Sequence, residues 1–157
     1  MIKSWMVIGG VAIVVALAIN GLFRDSSRWF YRLQRPRWLT FEGLIPFIWT
    51  FIFICGVWSA VLVWEKEPAS RYTWLLMGLY LLLEIAIMAY TPTMSLLRSL
   101  KVGTVMGATG TLIGALLAVG VWPVSTTSAA LLIPYLLWSP IGTYTTWAMV
   151  AENPGDG

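Results

Sequence analysis

Histidine is absent from this chain, cysteine occurs once, at Cys55, and Asp, Glu, Lys and Arg together make up only 11% of the residues. Each shortage removes a class of function. Without an imidazole there is no histidine-activated serine or cysteine nucleophile. A single thiol, with no pair of carboxylates at ligand spacing, leaves neither a zinc site nor an acid–base dyad. One cysteine cannot close a disulfide within the chain, so the redox compartment is not legible from it. The formal net charge is +3, yet the basic residues form no extended face of the kind a duplex or strand requires, which sets nucleic acid aside as a partner.

What fills the chain instead is apolar. Hydrophobic residues reach 59% and the mean hydropathy is +0.79, values that belong to an integral, multi-pass membrane protein. At roughly 20 apolar residues per crossing, residues 1–157 hold a single membrane domain with short connections. Hydropathy and breakers place spans at about Ser4–Phe23, Gly43–Trp64, Tyr72–Thr91, Val102–Trp122 and Ala129–Ala151, with a first loop over residues 24–42. Pro92, with Arg98 and Lys101 beyond it, marks the end of the third span. The expected fold is therefore an all-α membrane protein, a five-transmembrane-helix bundle with a structured first loop. Seven of the ten basic residues (Arg24, Arg28, Arg32, Arg35, Arg37, Arg98, Lys101) fall in the first and third loops, against Lys3, Lys66 and Arg71 elsewhere. This asymmetry orients the first loop and the C-terminus toward the cytoplasm, in a cell membrane.

The stretch from Trp29 to Thr50 concentrates rings, arginines and prolines beyond what lipid packing demands. Its arginines serve as topology signals, contacts for anionic lipid heads, or forks for a ligand's carboxylates. Trp5, Trp64, Trp74 and Trp122 sit at span ends, where indoles anchor in the headgroup belt. Trp49, Trp58, Trp138 and Trp147 lie further into their helices. Trp49 with Phe53, and Tyr135 with Trp138, share helix faces, which makes either an aromatic box or ordinary helix packing. Glu84 is an ionisable group at mid-span, either functional or protonated and hydrogen-bonded within the bundle. Gly103–Gly107 and Gly110–Gly114 are GxxxG spacings that let a helix approach closely, within the chain or in a second copy.

The order Trp29-Phe30, Leu33, Arg35-Pro36, Trp38, Pro46 and Trp49-Thr50, then Tyr90-Thr91-Pro92, then Pro134-Tyr135-Leu136, Trp138 and Thr143, resembles the tryptophan-rich sensory proteins. These form the translocator protein, or peripheral benzodiazepine receptor, family. The resemblance spans nearly the whole chain. It implies a five-helix bundle, commonly a homodimer, whose first loop caps a pocket for tetrapyrroles or other apolar small molecules. By position it implies a ligand-binding set of Trp29, Phe30, Arg32, Arg35, Trp38, Pro46, Trp49, Phe53, Tyr90, Tyr135, Trp138 and Gly142. The chain departs from the pattern at Phe30, at Thr40-Phe41 where a Pro-Pro pair is usual, at Tyr90, and at Leu83 and Ile87 where polar residues are usual. No Lys or Arg follows Tyr144 and Trp147, so the cholesterol-recognition pattern of animal members is missing.

The expected function is a membrane receptor or sensor that binds tetrapyrroles (protoporphyrin or haem) and modulates tetrapyrrole or stress metabolism, with membrane lipid around it. A porphyrin would stack on Trp49, Phe53 and Trp138, with its carboxylates on Arg32, Arg35 or Arg37. Two other readings stay open: a light- and oxygen-dependent porphyrin-degrading enzyme using Trp49 and Trp138, and a tetrapyrrole or lipid carrier. No metal site and no covalent cofactor are expected.

Overall fold

Long apolar runs can satisfy their backbone polar groups in lipid only as helices or closed barrels. The computed structural model describes residues 3–23 and 28–156 and takes the first course, with no strand among the described residues. Its helices are α1 (Ser4–Leu22), α2 (Arg28–Arg32), α3 (Ile45–Lys66) after a 3₁₀ turn at Glu42–Leu44, α4 (Arg71–Leu96), α5 (Leu100–Val121), α6 (Thr126–Leu131) and α7 (Ile133–Glu152). Among the described residues, four helices are long and apolar enough to cross a membrane: Ser4–Leu22, Glu42–Lys66, Arg71–Leu96 and Leu100–Val121. The last helix, α7, is more polar, carrying Ser139, Pro140, Thr143, Thr145 and Thr146.

Helix boundaries differ from the expected ones for identifiable reasons. Pro92 does not end α4; it sits inside the helix, which runs on to Leu96. A proline costs one backbone hydrogen bond, a loss that helices packed in a membrane bundle tolerate. The stop comes at Arg98, whose positive φ of 47° closes the helix in a left-handed turn. The expected fifth span is broken into α6 and α7 at Leu132, just before Pro134 in the first turn of α7. Pro46 occupies the same starting position in α3.

Alternating helices bring the first loop, the α4–α5 connection and the C-terminal tail to one end of the bundle. There the backbone N–H of Leu100 donates to the Asp156 carbonyl at 2.9 Å. At the opposite end the Ser4 hydroxyl donates to Glu65 at 2.7 Å, and Tyr72 donates to the Gly120 carbonyl at 2.7 Å. The first end therefore collects Arg28, Arg32, Arg35, Arg37, Arg98 and Lys101, while Arg24 lies outside the described residues.

The tightest seam is between α5 and α7. The glycines of α5 face it: a Cβ on Gly107 would strike Thr143, and one on Gly114 would strike the ring of Tyr135. The GxxxG spacings are thus used inside the chain. By contrast α1 buries none of its residues and leans on α3 and α4.

Candidate functional site

Rings from three elements meet in the half of the bundle nearest the first loop. Trp49 lies one turn before Phe53 on α3, with ring centroids 6.1 Å apart, and reaches Tyr135 of α7 at 6.4 Å. Trp138, one turn along α7, meets Phe41 of the first loop edge-on at 6.3 Å. Trp49 and Trp138 therefore flank the same region, each with its own partner. Phe41 stands where a proline was usual in the resemblance, and its ring closes over Trp138. The Tyr135 hydroxyl accepts from Ser139 at 3.2 Å, and Ser139 in turn pairs with Thr111 of α5 at 2.7 Å. That chain fixes the Tyr135 ring, as a buried hydroxyl requires.

The first loop is held by the C-terminal tail, a role the sequence reading did not give it. The Asn153 side chain accepts from the backbone N–H of Gln34 at 2.9 Å and donates to the Gln34 carbonyl at 3.0 Å and the Met149 carbonyl at 2.9 Å. The Trp29 indole donates to the Asp156 carboxylate at 2.7 Å. Beneath this clasp, Leu33 is buried with Met94, Leu100 and Met149, and Tyr90 pairs with the Thr146 hydroxyl. One amide thus satisfies both polar groups of a loop residue.

This arrangement sorts the expected ligand residues. Trp49, Phe53, Tyr135 and Trp138 come together. Trp29, Phe30 and Tyr90 instead pack around the buried Leu33. Arg35 is committed to the loop itself: its Nε donates to Glu42 at 2.9 Å, its Nη1 donates to the carbonyls of Leu33 at 2.9 Å and Phe30 at 3.0 Å, and its guanidinium lies 4.5 Å from the Phe30 ring centre. It staples the loop and has little left for a ligand carboxylate. The Arg32 and Arg37 side chains are exposed and make no ion pair or hydrogen bond among the described residues. Trp38 stacks on Tyr144 at 5.9 Å beside a surface cleft that also includes Pro140 and Ile141. Pro46 is exposed at the start of α3, and Gly142 is half-buried on α7.

A further cavity extends from this region toward the other end of the bundle. About 620 Å³ opens between α1, α3 and α4, from Phe53 and Tyr135 in the interior to Trp64 and Trp74 at the end away from the first loop. Its lining is apolar except for Glu84, Tyr80, Tyr135, Ser4 and Lys3. The first loop does not cap this cavity. Sequence spacing held no signal for it, because its space comes from the loose seating of α1 and from Gly56 and Gly78, where nothing lies within 4 Å of an added Cβ.

Apolar crossing helices, a tied loop and an interior lined by rings define a helical integral membrane protein. The sequence pattern of the TspO/MBR family matches residues 8–151, and the chain belongs to that family. It is 29% identical over 150 residues to the Tryptophan-rich protein TspO of Bacillus cereus, covering 90% of this chain and 96% of that one. Membership supports a membrane sensor or receptor kind of role.

Proposed function

We propose that the protein is a membrane receptor for tetrapyrroles that modulates tetrapyrrole or stress metabolism. The observation that carries this reading is the convergence of Trp49, Phe53, Tyr135 and Trp138 below the basic end of the bundle. A flat macrocycle stacks on these rings, and its carboxylates turn toward Arg32 and Arg37, whose guanidinium forks are unengaged. No histidine is available to ligate haem iron, so stacking and charge hold haem and metal-free porphyrin alike.

In this reading α7 is the fifth crossing; its polar side chains face α5, as the Thr111–Ser139 pair does. The basic end lies in the cytoplasm of a cell membrane, with the C-terminus on that side. A homodimer would pack through lipid-side faces, since the α5 glycines are occupied within the chain. Light-scattering mass in detergent tests that assembly.

The deciding experiment is a fluorescence-quenching titration of purified protein with protoporphyrin and with haem, followed by absorption in dark and in light. Saturable binding of both pigments, lost in the Trp49→Ala, Trp138→Ala double variant, is the expected result. Binding of the iron form alone overturns the stacking account. Pigment returned altered after illumination, with the change abolished by Trp49→Phe and Trp138→Phe together, replaces the receptor with a degrading enzyme. Flux across liposomes beyond partitioning replaces it with a carrier.

A further inference from the structure

The cavity between α1, α3 and α4, which meets the aromatic site at Phe53 and Tyr135, carries a second inference. Glu84 projects into it from near the middle of α4 and makes no hydrogen bond or ion pair. A carboxyl facing apolar surroundings without a partner is costly. The nearest polar side chain on its own helix face, Tyr80 one turn earlier, is already engaged with Ser59 at 2.5 Å, and Ser59 donates to the Ser128 carbonyl at 2.7 Å. Among the described residues, Glu84 therefore has no internal partner. At the cavity's outer end Trp64 and Trp74 meet edge-on, 5.1 Å between centroids, and line the space with their rings.

We propose that this cavity, on its side away from Phe53 and Tyr135, is a second binding site for an apolar molecule carrying a single positive charge, with Glu84 as its counter-ion and Trp64 and Trp74 as its aromatic rim. A protonated or quaternary amine with a ring-bearing body has the required chemistry. Its apolar body replaces water or lipid along α1, α3 and α4, its charge pairs with the unpartnered carboxylate, and aromatic faces favour a cation on its way in. Lys3 at the mouth has an acidic group close by, since Glu65 accepts from the adjoining Ser4 at 2.7 Å. The volume of about 620 Å³ admits a ring-bearing ligand of ordinary drug size. The basic end and the acidic interior thus give the molecule two sites of opposite charge preference.

The test uses full-length protein in non-ionic detergent, titrated with tetraphenylphosphonium and with tetraphenylborate, probes of the same shape and opposite permanent charge. The phosphonium is expected to bind saturably and at least tenfold more tightly than the borate. Glu84→Gln should weaken the phosphonium at least tenfold and leave protoporphyrin quenching unchanged. Gly78→Leu, which keeps Glu84 but fills the space, should weaken the phosphonium similarly. Equal affinity for the two probes, no saturable phosphonium binding, or a Glu84→Gln affinity within twofold of the parent overturns the proposal. If Glu84→Gln elutes as aggregate, Gly78→Leu decides: unchanged phosphonium affinity in that variant is equally fatal. Loss of protoporphyrin binding by the unaltered protein would sink the receptor reading and leave this one standing.

Discussion

The seam between α5 and α7 and the seat of α1 against α3 and α4 are built by opposite means. On the first, small residues let two helices approach until a Tyr135 ring lies on Gly114 and Thr143 lies on Gly107. On the second, a helix of 19 residues buries none of them, and a Cβ added at Gly9 would still lie 3.9 Å from the Val57 side chain. Dispersion falls off steeply with separation, so the close seam gains from many atom pairs what the open one forgoes. The consequence is a division of labour. One side of the bundle is a fixed frame that positions the rings, and the other is a movable wall beside the large cavity, where few buried contacts must break for a guest to pass.

The sharpest way to break this contrast is to add bulk to both sides. Gly114→Leu drives a side chain into the Tyr135 ring, and overpacking of this kind costs about 3 kcal/mol. Thermal unfolding in detergent, with elution profile as a check, should show a large loss of stability or no monodisperse protein. Gly10→Leu on α1 adds the same atoms where nothing lies within 4 Å of the new Cβ, and should leave the melting temperature close to the parent's. Equal losses would show that α1 is seated as firmly as α7.

Much of this was legible in the sequence, and the exceptions have physical causes. Apolar runs locate helices because lipid leaves the backbone no other partner, and the glycine spacing of α5 announced a close approach. The pairing of Trp49 with Phe53 followed from helical periodicity. What periodicity cannot supply is the identity of a partner far along the chain. The Gln34–Asn153 clasp joins residues 119 positions apart, and the tail that makes it reads as an ordinary polar terminus. The loop contacts of Arg35 were illegible for a related reason: a guanidinium has five donors, and only the structure shows that two loop carbonyls and Glu42 engage some of them. Pro92 misled because a breaker in water is merely a local defect inside a packed membrane helix.

The clasp itself gives the next effect in size. Asn153→Ala removes its hydrogen bonds to Gln34 and Met149 and leaves both polar groups of Gln34 without that partner. Losing buried bonds of this sort costs about 2 kcal/mol, expressed locally as an opening of the first loop. Trypsin cleavage after Arg32 or Arg37 should accelerate about tenfold or more. An unchanged digestion rate would mean that the buried Leu33, not the tail, holds the loop shut.

A smaller effect is expected at Arg35→Lys. An ammonium keeps the charge but cannot donate along the fork to Glu42 and two carbonyls at once, nor lie flat on Phe30. The expected loss is about 1 kcal/mol, read as a modest acceleration of the same cleavage. Protoporphyrin affinity should stay within about twofold, because the free carboxylate partners are Arg32 and Arg37. A loss of affinity beyond that would return Arg35 to the ligand.

The smallest effect turns on sign. Gly78→Ala and Gly107→Ala make the same chemical change in two membrane helices, and each removes a residue that costs a helix about 0.5–1 kcal/mol relative to alanine. At Gly78 the new methyl meets open cavity, so a few tenths of a kcal/mol of that gain should appear as a slightly higher melting temperature. At Gly107 the methyl would stand 2.5 Å from the Thr143 hydroxyl oxygen and 3.4 Å from the Thr143 backbone. Backbone cannot step aside as a side-chain tip can, so α5 and α7 must part slightly and the net change should be destabilising. The same methyl raising stability on the cavity side and lowering it on the seam would separate the two regions by packing alone. Intrinsic helix preference is identical in both.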